Sequence, residues 1–355
     1  MTRPALAGKV QYAMHKNARE KVRLKYVICI GEMLIDFIPN AQEHPVEGNN
    51  TCYHPHPGGA PANVAVAVSR LKGPSRFIGK LSEDGFGQLL LKTLHDNQVD
   101  TRYVQTTKQG LTTLALVALK ADGQRQFTFY RHASADTLLE VGDLDWTAWQ
   151  DAAVCHAGSI SLSVEPARSA TLAAIDYTQR TGSIVSFDAN IRPAFWTSDI
   201  AIRETLAQVV ARTDLLKFSA EEAHFLGESE QASLEDLDRS WLHKLGKRLL
   251  EQGPRLVIIT LGSQGAILMT AKHEVEVPAF PVRPIDTTGA GDAFMGAVLF
   301  TLMQQGCNSP VALSELSESD LNHLGGFANK AAGLSTTRYG GIISLPYMEE
   351  VEGLH

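Results

Sequence analysis

The 355-residue chain is 44% hydrophobic and 20% charged, with a net charge of −7, which is an ordinary globular composition. The acidic balance argues against nucleic acid as the main partner, because phosphate binding requires a basic surface. There is no run of 18 or more apolar residues, so we expect no transmembrane helix and no membrane partner. The four cysteines form no C-x-x-C pair. We therefore expect neither a zinc knuckle nor a disulfide framework, and a cytoplasmic location.

The first 25 residues differ in composition from the rest of the chain. They hold seven lysines and arginines against a single acidic residue, Glu20. They lack the continuous apolar stretch of a secretory signal. We interpret residues 1–25 as a basic N-terminal extension without an assigned function, and residues 26–350 as the globular domain.

From residue 26 onward, short apolar runs alternate with segments of helical spacing. The predicted strands are 26–30, 76–79, 153–156, 184–187, 215–218 and 256–260. The predicted helices are 62–71, 87–94, 166–180, 202–211, 237–251 and 293–303. This alternation favours right-handed βαβ units and a mostly parallel sheet with helices on both faces. We therefore predict a three-layer α/β fold whose ligands bind at the carboxyl ends of the strands.

Two β-rich segments interrupt this alternation. Residues 112–120 and 124–131 flank the sequence 121–123 (ADG), which is a strong hairpin signal. Together with a strand at 34–38 they predict a small separate sheet, built from about residues 33–57 and 103–131. Such a sheet beside a parallel-sheet domain is suited to act as a lid.

The segment 284–294 (PIDTTGAGDAF) carries the strongest chemical signal. Gly289 and Gly291 allow a tight turn before the predicted helix 293–303, and the free amides at a helix start bind anions. Asp292 would lie beside a phosphate held there, where a carboxylate can accept the proton of an attacking hydroxyl. Asp292 alone could also be a simple N-cap, but the complete string DTTGAGD favours catalysis.

Other glycine motifs narrow the choice of function. There is no G-x-x-x-x-G-K-[ST] string, and no G-x-G-x-x-G string follows the first strand. Their absence argues against a Walker-type NTPase and against a dinucleotide-binding dehydrogenase. The segment 57–63 (PGGAPAN) opens a helix and brings its backbone and Asn63 within reach of a small polar ligand, although Asn63 could also be a local cap.

Eight strings carry a resemblance to a known family. In chain order they are 31–39 (GEMLIDFIP), 57–63 (PGGAPAN), 79–87 (GKLSEDGFG), 129–136 (FYRHASAD), 158–162 (GSISL), 187–192 (FDANIR), 260–265 (TLGSQG) and 286–292 (DTTGAGD). On these strings the chain resembles the ribokinase-like (PfkB) carbohydrate kinases, and among them most closely the fructokinases. The resemblance covers about residues 26–346 and implies a ribokinase-like fold with a β-sheet lid.

The resemblance also implies roles for individual residues. It makes Asp292 the catalytic base, and Gly289, Ala290, Gly291 and Asp292 the anion hole for the γ-phosphate of ATP. It places the sugar among Asp36, Gly58, Gly59, Asn63, Arg131, Arg192 and Asp292. It places the nucleotide among Ser219, Thr260, Gly262, Gly265, Gly289, Gly291 and Asn329. From the residues alone, Asp36, Arg131, Thr260 and Asn329 could equally be structural polar residues.

The resemblance further implies two metal sites. Glu222 lies in Ser219-Ala-Glu-Glu222, where the family usually has Asn-x-x-Glu, a motif tied to Mg²⁺ and phosphate. The serine departs from that pattern and leaves Ser219 uncertain, and a glutamate at a helix start is favoured by the dipole anyway. Mg²⁺ keeps most of its waters, so Glu222 would act indirectly. Many members also bind K⁺, and the matching positions are Asp286, Thr288, Ser335, Gly340 and Ser344.

The activity implied is ATP-dependent phosphorylation of a sugar, with D-fructose giving fructose 6-phosphate. Two other substrates stay open: 2-keto-3-deoxygluconate, because Arg131 and Arg192 suit a carboxylate, and aminoimidazole riboside, whose kinases share the C-terminal half. From a different class, the chain could be a sugar-binding regulator without catalysis. Retention of Asp292, Glu222 and the glycines argues against that. Lid sheets of this kind often pair, so the resemblance also allows a homodimer through the lid.

Overall fold

The structure is a computed structural model, and it describes residues 25–39, 52–119, 125–227 and 239–353. Residues 1–24 of the basic extension lie outside the described residues, and so does the sequence 121–123 between the two predicted lid strands. Within the described ranges, no helix is long and apolar enough to cross a membrane.

The secondary structure alternates between strands and helices along most of the described chain. The strands are β1 (Tyr26–Ile30), β2 (Leu34–Pro39), β3 (Tyr53–Gly58), β4 (Ser75–Ile78), β5 (Lys80–Ser82), β6 (Gln105–Thr107), β7 (Leu114–Leu119), β8 (Arg125–Tyr130), β9 (Ala152–Gly158), β10 (Ile184–Asp188), β11 (Leu215–Ser219), β12 (Leu256–Thr260), β13 (Ala266–Met269) and β14 (Glu274–Val277). The α-helices are α1 (Ala60–Arg70), α2 (Gly85–Asp96), α3 (Ala167–Thr181), α4 (Asp199–Val210), α5 (Ala223–Leu226), α6 (Arg239–Gln252), α7 (Ala290–Gln304), α8 (Pro310–Ser314), α9 (Glu318–Ser335) and α10 (Met348–Glu352).

The central sheet has eight strands in the order β14-β13-β12-β11-β10-β9-β1-β4. The strands from β12 to β4 run parallel to their neighbours, and β13 and β14 form an antiparallel edge. Because six strands run in one direction, their carboxyl ends meet at a single edge of the sheet.

Alternation of side chains along β1 shows how the sheet is covered on both faces. Val27 and Cys29 pack into one apolar cluster with residues of α1, α2, α7 and α9. Ile28 and Ile30, which point to the other face, pack into a second cluster with residues of α3, α4 and α6. A parallel sheet buried on both faces requires continuous apolar strands, and four of the five residues of β1 are fully buried.

A second sheet has the strand order β3-β2-β7-β8. β2 pairs antiparallel with β3 and parallel with β7, and β7 pairs antiparallel with β8. Its strands fall within the ranges predicted for the lid. β6 falls within the same ranges but pairs with β5 in a separate two-stranded sheet.

The fold class predicted from the sequence is confirmed: a mostly parallel sheet lies between two layers of helices, beside a smaller sheet. The predicted strands and helices agree with the described elements to within a few residues. The first two residues of the predicted helix 237–251 lie outside the described residues. The antiparallel edge of β13 and β14 and the helix α9 were not predicted.

Candidate active site

A cleft of about 720 Å³ opens at the carboxyl ends of the parallel strands. Asp188 ends β10, Thr260 ends β12 and Lys217 lies near the end of β11, and all three line it. The starts of α1 and α7 form the opposite wall, and Asp36 of β2 and Phe129 of β8 reach the cleft from the smaller sheet. Both sheets and two helix starts therefore contribute to one site.

Asp292 lies in the first turn of α7, buried at 7% exposure. The Nδ2 of Asn63, near the start of α1, donates a 2.7 Å hydrogen bond to its Oδ2. Burial raises the pKa of Asp292 to about 6, although this hydrogen bond favours the ionised form and holds the pKa down. Asp292 is therefore a carboxylate whose pKa lies close to the range useful for a base at neutral pH.

The backbone around Asp292 forms the helix start that the sequence predicts. Gly289 precedes α7 in the left-handed conformation, with φ +78°, where a Cβ would also lie 3.3 Å from the Cα of Gly341. The amide of Ala290 donates to the carbonyl of Thr287 at 3.2 Å. The next two amides, of Gly291 and Asp292, have no acceptor within the helix. Of the four residues predicted for the anion hole, Gly291 and Asp292 therefore keep amides that a ligand could use, whereas the amide of Ala290 is already engaged.

A buried ion pair lies beside these amides. The Nζ of Lys217 donates to the Oδ2 of Asp188 at 2.7 Å, and both side chains are at most 5% exposed. A Cβ added to Gly291 would lie 3.2 Å from that Nζ, which places the ammonium against the start of α7. Burial is the largest single effect and opposes the charge on Lys217, but the carboxylates of Asp188, Glu222 and Asp292 together outweigh it and raise the pKa of Lys217. The group therefore stays charged.

Glu222 shares this end of the cleft with Ser219. Its Oε2 accepts the amide of Ser219 at 2.8 Å, and its Oε1 accepts the amide of Ile191 at 2.7 Å. Burial and the neighbouring Asp188 raise the pKa of Glu222, while Lys217 lowers it. Glu222 therefore connects the loop after β10 to the end of β11 through these two hydrogen bonds.

The predicted sugar residues divide into two groups. Asp36, Gly59 and Asn63 line the cleft. Gly58 does not line the cleft but packs against Asp36, and a side chain at Gly58 would collide with the Asp36 carboxylate. The Oδ1 of Asn63 is buried and accepts no hydrogen bond from the described residues.

The two predicted arginines differ in their access to the cleft. Arg192 lines it and lowers the pKa of both Asp292 and Glu222. Arg131 is not part of the lining. It forms an ion pair with buried Asp136 at 2.8 Å, and it donates to Ser163 at 3.1 Å. Arg131 therefore lies beside the cleft, held by Asp136 and Ser163, rather than in its lining.

The predicted nucleotide residues lie together at the other end of the cleft. Ser219, Thr260, Gly262, Gly265 and Asn329 all line it. The Nδ2 of Asn329 donates to the carbonyls of Val277 and Pro278, at 3.1 and 2.9 Å. The Asn329 amide therefore also holds α9 against the end of β14.

The residues predicted to bind a monovalent cation surround the turn before α7. The Asp286 carboxylate accepts the amides of Thr288 at 2.7 Å and Gly340 at 2.9 Å. The hydroxyls of Ser335 and Ser344 are fully buried and donate to the carbonyls of Ala332 and Gly341. Each hydroxyl oxygen keeps its lone pairs, so the set offers buried oxygen ligands.

A family model described as pfkB family carbohydrate kinase matches residues 24–348. The chain belongs to this family. Fructokinase-1 of Zea mays is 40% identical to this chain over 329 residues. The alignment covers 92% of this chain and 96% of the Zea mays protein. The kinase is therefore an ATP-dependent sugar kinase.

Solved structures of fructokinases have the same fold. The fructokinase of Xylella fastidiosa with bound ATP has a TM-score of 0.82 at 32% identity, and the alignment covers 92% of the kinase and 97% of that chain. A double mutant of the Vibrio cholerae O395 fructokinase, in fructose, ADP and potassium ion bound form, has a TM-score of 0.78 at 33% identity. That alignment covers 93% of the kinase and 98% of that chain.

Four charged residues of the cleft were not predicted from the sequence, namely Glu32, Asp188, Lys217 and Glu221. Asp188 stands within a string that carried the resemblance, but no role was assigned to it. A signal for Lys217 was present: it is a lysine inside the apolar run LLKFS, and lysine is almost never buried without a partner.

Replacing Lys217 by methionine tests this electrostatic arrangement. Lys217 lowers the pKa of Asp292, so Lys217→Met should raise that pKa further. We expect the acid limb of kcat/KM, near pH 6 in the parent enzyme, to move to higher pH. Breaking a buried ion pair should also cost about 3–5 kcal/mol of unfolding free energy, measured by urea titration.

Lys80→Met is the matched control, because Lys80 forms an ion pair with Asp143 outside the cleft. It should leave the acid limb in place. An unchanged acid limb in Lys217→Met would show that Lys217 does not act on the titrating base.

Proposed function

We propose that the kinase is a fructokinase, which transfers the γ-phosphoryl group of ATP to D-fructose and forms fructose 6-phosphate and ADP. The observation that carries this proposal is the position of Asp292, a buried carboxylate beside free helix-start amides in the cleft. The similarity to fructokinases from plants and bacteria supports fructose as the sugar.

In this mechanism Asp292 is the general base. It accepts the proton of the sugar hydroxyl while the hydroxyl oxygen forms a bond to the γ-phosphorus of ATP. The bond from that phosphorus to the β,γ-bridging oxygen breaks, and ADP leaves with the electron pair. The hydrogen bond from Asn63 orients the Asp292 carboxylate. Because the pKa of Asp292 is about 6, the carboxylate is mostly ionised at neutral pH.

Three groups stabilise negative charge on the transferring phosphoryl group. The amides of Gly291 and Asp292 lie at the positive end of the α7 dipole. The ammonium of Lys217 lies against the same turn. Donors fixed in advance at the place where charge develops are among the largest contributions to catalysis.

The acidic residues at this end of the cleft fit a divalent cation. The Oδ1 of Asp188 is buried and accepts no hydrogen bond from the described residues, which is an unmet need for a cation or water. We propose that Mg²⁺ binds with ATP near Asp188 and, through water, near Glu222. When bound, Mg²⁺ neutralises phosphate charge and keeps most of its waters.

The donor set around Asp286 fits a monovalent cation. It consists of a carboxylate, two buried serine hydroxyls and main-chain carbonyls, all of which are oxygen ligands. We propose that K⁺ binds there, next to the turn that carries the anion-binding amides. A cation at that position would fix the turn before α7.

The charges at the sugar end favour a neutral sugar over an acid sugar. Asp36 and Glu32 both line this part of the cleft and would repel a carboxylate. Of the two arginines that suit a carboxylate, Arg131 is paired with Asp136 and only Arg192 lines the cleft. This arrangement disfavours 2-keto-3-deoxygluconate.

Retention of the base and of the helix-start amides disfavours a non-catalytic regulator. A homodimer through the smaller sheet stays a prediction.

A coupled ADP-release assay on a panel of sugars tests the substrate. We expect the highest kcat/KM with fructose, against glucose, ribose, 2-keto-3-deoxygluconate and aminoimidazole riboside. A tenfold preference, about 1.4 kcal/mol, for the acid sugar or the riboside would contradict the proposal.

A salt comparison tests the monovalent cation. At constant ionic strength, KCl should raise the rate more than NaCl, and choline chloride should not raise it. Ser344→Ala should raise the K⁺ concentration that gives half-maximal activation, because it removes one oxygen ligand. Ser75→Ala, at a buried serine away from the cleft, is the control. Equal rates in the three salts would exclude the site.

A further inference from the structure

Glu32 is a buried carboxylate of the cleft that the mechanism above does not use. It lies two residues after β1, at the carboxyl end of a central parallel strand, and it is 1% exposed. It lines the cleft together with Leu34, Asp36 and Asn63. Its position is therefore at the end of the cleft proposed for the sugar.

One oxygen of Glu32 fixes the side chain. Its Oε1 accepts a 3.2 Å hydrogen bond from the amide of Ala60, the first residue of α1. Gly59, just before it, approaches the Glu32 backbone so closely that a Cβ there would lie 2.7 Å from the Glu32 carbonyl oxygen. The carboxylate is thus tied to the loop that carries the predicted sugar residues.

The other oxygen has no partner. The Oε2 of Glu32 is buried and accepts no hydrogen bond from the described residues. Burial raises the pKa of Glu32 to about 7, although its own amide, Arg131 and the Ala60 amide favour the ionised form. Arg131 is held by Asp136 at 2.8 Å, and among the described residues no cation forms an ion pair with Glu32. A donor that enters the cleft can supply the missing hydrogen bond.

The surroundings of this oxygen limit what the donor can be. Leu34, two residues after Glu32, and Ile160 and Phe129 give the same cleft apolar walls. Asp36 and Asn63 present further acceptors. Several acceptors set between apolar walls suit a small, neutral molecule with several hydroxyl groups.

We propose that Glu32 is a further sugar-binding residue, whose Oε2 accepts a hydrogen bond from a hydroxyl of the sugar other than the one that is phosphorylated. This inference rests on the proposed fructokinase activity. A site built to pair with a hydroxyl rejects analogues that lack it, because its polar group is then left buried and unpaired. Glu32 is therefore expected to set specificity for one hydroxyl.

The test compares fructose with four analogues that each lack one non-transferred hydroxyl: 1-deoxy-, 3-deoxy- and 4-deoxy-D-fructose, and 2,5-anhydro-D-mannitol. We expect the parent enzyme to use at least one of them about tenfold less efficiently than fructose, or worse. In Glu32→Gln the amide can still accept from Ala60, but an NH₂ group replaces Oε2. Discrimination against that one analogue should fall to within about threefold, through the KM for sugar, while the KM for ATP stays unchanged.

Asp84→Asn is the matched control, because Asp84 also accepts backbone amides, of Gly87 and Thr112, away from the cleft. It should change stability without changing discrimination. If Glu32→Gln lowers kcat/KM by the same factor on fructose and on every analogue, Glu32 is only structural and the proposal is overturned.

The same panel separates this inference from the proposed function. A parent enzyme that does not phosphorylate fructose overturns the fructokinase proposal and, with it, the role of Glu32. A parent enzyme active on fructose, with discrimination unaffected by Glu32→Gln, overturns the role of Glu32 alone. If the Glu32 variant does not fold, the parent enzyme still tests the proposal, since a kcat/KM on all four analogues close to that on fructose excludes a buried partner for any non-transferred hydroxyl.

Discussion

The hydrogen bond from Asn63 to Asp292 joins the starts of two helices that are more than 200 residues apart in the sequence. α1 and α7 can approach so closely because small residues face each other, with Gly296 against Ala67. One end of this contact is the glycine loop before α1, and the other is the amide-rich turn before α7. The proposed base, the loop proposed to bind the sugar and the turn proposed to bind phosphate therefore keep fixed positions relative to one another.

The charges of the cleft are balanced around this contact. The carboxylates of buried Asp188 and Asp292 and of partly buried Glu222 repel one another, and the ammonium of Lys217 and the guanidinium of Arg192 offset this repulsion. Lys217 is held to one carboxylate and lies against the start of α7. A phosphate that enters this end of the cleft meets fixed positive charge and free amides, whereas the sugar end presents mainly acceptors. The electrostatics thus support the proposal that the two ends of the cleft bind two different ligands.

Much of the fold and of the candidate site could be predicted from the sequence. The strands of a buried parallel sheet are continuous apolar runs, and the turn before α7 has a distinctive sequence. The antiparallel edge was missed because no α-helix separates β12, β13 and β14, so the alternation that marks the other strands is absent there. The helix α9 is continuous but contains Gly325 and Gly326, and glycines within a helix weaken the helical pattern of the sequence. The pairing of Lys217 with Asp188, across adjacent strands, could not be read from either residue alone.

The central claim is that Asp292 removes the proton of the sugar hydroxyl, and Asp292→Asn tests it most directly. Asparagine keeps the size of the side chain, an oxygen that can accept the Asn63 hydrogen bond, and most of the capping ability, but it cannot accept a proton. The account predicts that kcat on fructose falls by about 100-fold or more, while ATP binding by calorimetry and the Tm stay close to those of the parent enzyme. A kcat within a few-fold of the parent would contradict the account, because Asp292 would then not be the base.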